Sequence, residues 1–422
     1  MEKKKAAGGG SPQVVILADD LTGALDTGVK FACEGTRVRV GLFEDPNAYA
    51  PDASVWVLDA ETRHLSPGEA YDRTFRLARR AAEQGAQHLY IKTDSALRGN
   101  VAAAVLAGLA AMECGFAAFA PAYPDLGRVT RSGVQLTDGL PVQLSGYGRD
   151  PLNPVRLSRV KELFAAWDVS VQEVPAGARL EEIPAGKTVA VFDAETNGDL
   201  QAIAGYLREM DLLRVTAGCA GFAQALGPFL GAWGPKHAVP GADGPLLVLC
   251  GSLHPASHAQ LAYGERRSFV RRTCPLSVLA EDPCLAGSAG RAWLEELRVH
   301  LGAGRSVLLD TGRPGEAVRG PGAESGEKVA ERLGKLLLLL LALPEAENHT
   351  PLVIGGDTLE GFVRLLKAPG ICLEGEALPG VAAFTLRVGD RRLRMLSKSG
   401  GMGGEALLDS LAGGTDQDKG GK

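Results

Sequence analysis

Short apolar runs alternate along this chain with longer helix-like stretches. The runs are VVILAD (14–19), RVRVGLF (37–43), SVWVLDA (54–60), HLYIKT (88–93), FAAFAPA (116–122), TVAVFDA (188–194), PLLVLCGS (245–252), SVLLDTG (306–312) and LVIGGDT (352–358). Between them lie Ala- and Leu-rich segments such as EAYDRTFRLARRAAEQGA (69–86) and NVAAAVLAGLAAMECG (100–115). Strand runs spaced by helical runs predict an α/β fold with mainly parallel sheets. A length of 422 residues exceeds one ordinary core and predicts two or three domains. The Gly- and Pro-rich stretch WGPKHAVPGADGP (233–245), followed by a fresh strand, marks the boundary. The expected architecture is two α/β domains facing each other across a cleft, over 14–240 and 245–412. Residues 1–13 read as a disordered lead and 413–422 as a frayed tail.

Charge and composition exclude some functions. The net charge is −5, which argues against nucleic acid as a partner and gives no reason to bind an anionic membrane. The most apolar run, LLLLLLAL (336–343), is too short for a bilayer, which needs about 20 residues. It reads as a buried helix instead. GRPGEAVRGPGAESGEKV, in the same half, reads as a loop before that helix. The seven cysteines (33, 114, 219, 250, 274, 284 and 372) include no CxxC pair. Free thiols in a reducing cytoplasm are expected, not a disulfide framework or a zinc site. The lead has no apolar core of a secretory signal, which also points to the cytoplasm.

Polar residues gather where strand runs end. Asp19 and Asp20 follow the first run, and strand alternation sends them to opposite sides unless the turn redirects them. One of the two acids can also be read as a helix cap, because DDLTGALD runs into a helical pattern. YIKTDSALRGN (90–100) places Lys92, Thr93, Asp94, Ser95, Arg98 and Asn100 together. Two cations, an acid and two hydroxyls suit a small polyhydroxylated anion. The competing reading is a capped helix start, with Asp94 or Ser95 as the cap. Arg63 follows another strand closely enough to reach the same crevice. APAYPDLGRVTRSGVQLTDGLPV (120–142) reads as a long shaped loop. Spacing leaves open whether its Tyr123, Arg128 or Thr130 meets a ligand.

The C-terminal half carries three Gly-rich turns before helices. They contain Gly251-Ser252, then Gly355-Gly356-Asp357-Thr358, then Lys398 with Gly400, Gly401, Gly403 and Gly404. Such turns let backbone amides approach phosphate. No GxxxxGK[ST] and no GxGxxG in a βαβ context is present, so neither a P-loop nor a standard dinucleotide fold is expected. His254 and His258 have a spacing that suits a metal pair, but Pro255 lies between them and no HExxH occurs.

ADDLTGALD, KTDSALRGN, APAYPDLGRVTRSGVQL, GGDT and KSGGMGG, in this order from about residue 14 to 411, together resemble the four-carbon acid sugar kinases. The resemblance implies a sugar-acid-binding N-terminal domain and an ATP-binding C-terminal domain. It also implies phosphorylation of the terminal (C4) hydroxyl of threonate, erythronate or a 3-oxo-tetronate. Carried over by motif, Asp19, Arg63 and Lys92, Thr93, Asp94 and Ser95 contact the acid sugar, and Arg98 joins them from the same cluster. Ser252, Gly355, Gly356, Asp357, Thr358 and Gly400 contact ATP, with Gly401 in the same turn. Asp20 and Asp94 are the candidate catalytic acids, and one of Asp19, Asp20 and Asp94 accepts the proton of the attacking hydroxyl. Mg²⁺ is expected on the phosphates, with no ligand set assigned and Asp357 a candidate. Ala96 stands where the family pattern has a hydroxyl, and His254 and Pro255 interrupt a variable turn; both leave substrate preference open. A homo-oligomer is left open. The alternatives are a sugar-acid oxidoreductase or isomerase that never uses ATP, and a sugar-acid sensor.

Overall fold

The computed structural model describes residues 12–43, 53–150, 153–231, 234–236, 239–274, 287–312, 326–366 and 370–413. Most of the lead and tail, most of the 312–329 loop and Cys284 lie outside them. The chain forms two compact units, Met1–His237 and Ala238–Lys422.

The first unit runs β1 (Val14–Ala18), α1 (Leu21–Gly28), β2 (Val38–Leu42), β3 (Val55–Asp59), α2 (Pro67–Glu83), β4 (His88–Lys92), α3 (Val101–Ala111) and β5 (Phe116–Ala120). It continues β6 (Arg128–Arg131), β7 (Val134–Thr137), β8 (Leu140–Pro141), β9 (Ser170–Val174), β10 (Thr188–Phe192), α4 (Asn197–Glu209), β11 (Val215–Gly218) and α5 (Ala220–Leu226). Its main sheet has the order β2-β3-β1-β4-β11-β5-β10-β9, with every neighbouring pair parallel. β1 and β3 are buried along their whole length, which is why they read as unbroken apolar runs. From β1 the chain builds β2 and β3 on one side and then β4 on the other. The strand order therefore reverses between β1 and β4, and ligands of open α/β sheets sit outside the strand ends at such a point. Ala18 pairs with both Asp59 and Lys92, so the ends of β3, β1 and β4 are level.

The segment read as a long loop is a three-stranded antiparallel sheet, β6-β7-β8. Its two tight turns are Ser132-Gly133 and Asp138-Gly139, with all four residues at positive φ. That is the backbone of a two-residue hairpin turn, and Asp-Gly is a strong sequence signal for it.

The second unit runs β12 (Leu246–Cys250), α6 (Pro255–Arg266), β13 (Val270–Thr273), α7 (Ser288–Gly302), β14 (Val307–Asp310) and α8 (Gly326–Leu341). It continues β15 (Thr350–Ile354), α9 (Gly356–Leu365), β16 (Ile371–Leu378), β17 (Val381–Val388), β18 (Arg391–Lys398) and α10 (Leu407–Leu411). The order is β13-β14-β12-β15-β18-β17-β16. It is parallel from β13 to β18 and antiparallel in the last two pairings. Here the order reverses between β12 and β15. The Leu-rich run lies mostly in α8, which buries Leu333, Leu336, Leu337 and Leu340 at helical spacing. Among the described residues, no helix is long and apolar enough to cross a membrane. The cysteines at 33, 114, 219, 250, 274 and 372 are free thiols.

Candidate functional site

In the first unit, charged side chains converge at the β1/β4 switch point. Asp20 is the N-cap of α1, its Oδ1 accepting from the Gly23 amide at 2.8 Å. This extended cap residue ends the strand alternation, so both acids turn to one partner. Arg63 donates from Nε to Asp19 Oδ2 at 2.7 Å and from Nη1 to Asp20 Oδ2 at 2.6 Å. Its Nη2 lies 3.8 Å from Asp94 Oδ1. Lys92 Nζ lies 3.6 Å from Asp19 Oδ1. Asp19, Lys92, Thr93, Asp94 and Ser95 are all buried.

Asp94 does not cap α3. That helix starts at Val101 with Asn100 as N-cap, and the Asn100 side chain donates instead to the Thr62 and Leu65 carbonyls. Asp94 turns back on its own loop. Its Oδ2 accepts from the Ala96 and Arg98 amides and from Arg98 Nε, and its Oδ1 from Arg98 Nη2 at 2.8 Å. Burial alone would raise the Asp94 carboxyl, but the Arg98 and Arg63 guanidiniums and the Arg98 hydrogen bonds hold it well below the usual carboxylate range. Asp20 follows the same pattern: burial opposes ionisation, and the charges of Arg63 and Lys92 with the Gly23 amide bring it down. Burial disfavours the Lys92 ammonium, and Asp19 and Asp20 more than compensate. Asp20, Lys92 and Asp94 are therefore held in their charged forms.

Two buried oxygens in the cluster have no hydrogen-bond partner among the described residues: Asp19 Oδ1 and Thr93 Oγ1. Buried polar atoms are normally satisfied, so both are fit to meet the hydroxyls of a ligand. Gly23 makes the room. A Cβ there would stand 2.3 Å from Lys92 Nζ and 2.5 Å from Asp20 Oδ1. Gly23→Ala is expected to push the ammonium aside and cost about 10²-fold in kcat/KM for the small-molecule acceptor. Steady-state kinetics with the acceptor varied checks this.

In the second unit the three Gly-rich turns meet. They follow β12, β15 and β18, whose last residues pair as Cys250 with Ile354 and Ile354 with Lys398. A Cβ at Gly400 would stand 2.1 Å from Ser252 Oγ, and one at Gly355 would stand 3.4 Å from Ser252 N. Gly355 sits at φ 116 and opens α9 with no side-chain cap. The Gly355 amide donates to the Lys398 carbonyl, and the Gly356 amide heads the helix without a side-chain cap. Helix α6 braces the third turn: Ser257 donates to the Gly400 carbonyl, and Gln260 to those of Met402, Gly403 and Gly404. Gly401 packs on the His254 ring, 3.3 Å from a Cβ at that position to Nε2. His254 Nδ1 accepts from the Ala256 amide and caps α6.

The carried-over residues divide by environment here. Thr358 is buried, its hydroxyl 2.0 Å from where a Gly251 Cβ would be, so it packs inside the turn. Asp357 is exposed in the first turn of α9. Among the described residues, no group of three His, Cys, Asp or Glu side chains could hold a metal ion. Lys398 is 1% exposed; its Nζ donates to the Gly400 carbonyl at 3.3 Å and has no carboxylate partner among the described residues. Burial brings its ammonium down to about 8.

The models of a sugar-binding N-terminal domain and a nucleotide-binding C-terminal domain match residues 14–226 and 247–408. A D-threonate kinase of Cupriavidus necator is 32% identical, over 93% of this chain and 96% of its own. The chain belongs to the four-carbon acid sugar kinase family. A D-erythronate kinase of Heliobacterium modesticaldum is 28% identical, over 89% and 90% of the two chains. A solved structure from Salmonella typhimurium LT2 shares the fold, with a TM-score of 0.73, 21% identity and coverage of 94% and 97%.

For this acid sugar kinase, spacing alone did not disclose three participants of the first cluster. Arg128 donates to Ser95 Oγ and to the Tyr147 hydroxyl, both at 2.5 Å. Asp150 receives Arg98 Nη1 at 3.4 Å. Arg128 was visible in the DLGR segment without a role, whereas Tyr147 and Asp150 lie beyond any quoted motif and carried no signal.

Proposed function

We propose that this chain transfers the γ-phosphoryl group of ATP to the terminal C4 hydroxyl of a four-carbon sugar acid such as threonate, erythronate or a 3-oxo-tetronate. The observation that carries the reading is Asp19. Of the three candidate acids, Asp20 is spent on Gly23 and Arg63, and Asp94 on Arg98 and its own loop. Asp19 keeps Oδ1 free of hydrogen bonds from the described residues at the switch point, with Arg63 and Lys92 beside it. An acceptor oxygen held this way suits the proton of an attacking alcohol. On this reading Asp20 and Asp94 act on Arg63 and Arg98, and the acceptor is bound by Lys92, Thr93 and Ser95. In-line phosphoryl transfer asks the protein mainly to position and neutralise charge.

The Gly356 amide and the Gly400–Gly401 turn would bind phosphate oxygens, with the Gly355 amide held by the Lys398 carbonyl and Lys398 as the cation beside them. Asp357 is a carboxylate at these turns, which fits a divalent cation held chiefly by phosphate. Such a cation would neutralise charge on the transferred group.

The test is ADP release with Mg·ATP and a panel of four-carbon sugar acids, followed by NMR of the product. A C4 phosphate ester from at least one acid is the expected result. No ADP release with any acid would favour the oxidoreductase, isomerase or sensor readings and defeat this one.

A further inference from the structure

Among the four cations of the first cluster, three already have carboxylates. Arg63 has Asp19, Asp20 and, at longer range, Asp94; Lys92 has Asp19; Arg98 has Asp94 and Asp150. Arg128 has none among the described residues. Its partners are neutral: the Ser95 hydroxyl, the Tyr147 hydroxyl and the Tyr147 ring, whose centroid lies 5.3 Å from the guanidinium carbon. Its Nε is buried and makes no hydrogen bond among the described residues. Arg128 is half-buried, and a guanidinium partly withdrawn from water without an anion is costly.

The backbone holds Arg128 in this position. It opens β6 directly after Gly127, a left-handed residue at φ 64. Its carbonyl accepts from the Tyr123 amide at 2.7 Å, and its own amide donates to the Tyr123 carbonyl at 3.2 Å. Tyr123 is itself buried against Cys219 and Ala220. On the other side, Gln135 donates to the Ser95 carbonyl at 2.8 Å and to that of Pro121 at 3.3 Å, and takes the Thr130 hydroxyl at 2.6 Å. The β6-β7 hairpin thus fastens the loop after β4 and carries Arg128 to Ser95. A cation aimed this rigidly is preorganised for a ligand.

We propose that Arg128 receives the carboxylate of the sugar acid and is the residue that makes the site select an acid over a neutral polyol. This rests on the kinase reading above and sharpens it. Arg63, committed to Asp19 and Asp20, then serves the reacting end, and the substrate lies between the two. A planar guanidinium with spare N–H groups pairs a carboxylate in a way an ammonium does not.

The experiment is calorimetric binding of D-threonate and D-erythronate, each beside its neutral amide, to the full chain. The wild type is expected to bind the better acid about 30-fold more tightly than its amide. Arg128→Gln should bring the two within about threefold of each other, by weakening the acid while leaving the amide nearly unchanged. Arg128→Lys should restore part of the preference, and its retained charge guards against a Gln variant that fails to fold. The KM for ATP should stay within twofold in every folded variant. A wild-type-like acid preference in Arg128→Gln would overturn the proposal, as would equal losses for acid and amide, or a rise confined to the KM for ATP. Failure of the wild type to bind any four-carbon acid would overturn the kinase reading itself, a result distinguishable from the others.

Discussion

Asp19→Asn is expected to lower kcat by roughly 10²–10⁴-fold, the span of a lost general base. The substitution is nearly isosteric. Its carbonyl oxygen can still accept from Arg63 Nε, now 2.7 Å from Oδ2. What disappears is the acceptor at Oδ1, replaced by an amide that cannot take a proton. Nucleotide affinity, measured without sugar acid, should change by less than about threefold, because the change is confined to the first unit. A kcat within threefold of wild type would remove Asp19 as the base. Asp94→Asn provides the contrast. It too should reduce turnover, but through Arg98 and Arg63, which would lose a buried carboxylate. Breaking such a pair costs about 3–5 kcal/mol, so its melting temperature should fall along with kcat. The pH dependence has a definite sign. Asp94 and Asp20 are both depressed in the folded protein. Their stabilisation is present above the unfolded value of about 3.9 and is lost as pH falls through the folded values. Asp94→Asn should therefore lose less stability than wild type when acidified from about pH 5 downward, as melting temperatures across that range would report.

The fold was legible where burial is complete. β1, β3, β4, β5, β10, β12, β14 and β15 all coincide with apolar runs, because both faces of a parallel sheet select the same residue types. β16, β17 and β18 were not read. They carry charges such as Glu374, Arg387 and Arg394 at intervals, and their antiparallel pairing tolerates polar side chains. β11 escaped because VTAG is short and ends in glycine. The hairpin at Asp138-Gly139 had a clear signal that the surrounding prolines obscured. In the site, the residue types after each strand could be read, but not their partnerships. Alternation sends Asp19 and Asp20 to opposite sides unless the turn redirects them, and the extended cap geometry of Asp20 is what sends both to Arg63. Asp94 reads as a helix cap or a substrate contact; its two bonds to the Arg98 guanidinium depend on a loop path that includes Leu97 at φ 63.

Lys398→Met separates function from stability in the second unit. Lys398 is the last residue of β18, and its carbonyl accepts from the Gly355 amide at 3.2 Å. The backbone of Lys398 is thus tied to one turn expected to hold phosphate, and its ammonium to another. Nothing in the described protein neutralises it: its one hydrogen bond goes to the Gly400 carbonyl. The neighbouring Cys250 thiol is itself pushed up to about 11 by burial, so it is uncharged when the lysine titrates at about 8. A triphosphate placed at these turns would supply the missing anion and raise the ammonium back toward its usual value. Wild-type ATP affinity should therefore be level below about pH 7 and fall above about pH 8, by at most about tenfold per unit, with proton uptake on binding. Lys398→Met should weaken ATP binding at pH 7 by about 30-fold or more and abolish that slope. Stability should move the other way. A lysine whose folded value lies below its unfolded value of about 10.4 penalises the folded state fully below pH 8, and the penalty shrinks as pH rises toward 10.4. Met fills the same apolar environment without that penalty, so the variant should melt above wild type at pH 7 while losing its nucleotide. Calorimetric titration and thermal melting, both run from pH 6.5 to 9.5, read the two effects independently. Wild-type ATP affinity with an unchanged pH slope in Lys398→Met would refute the phosphate role. A strong loss of affinity with lower melting would mean that the lysine holds the turn together instead of waiting for an anion.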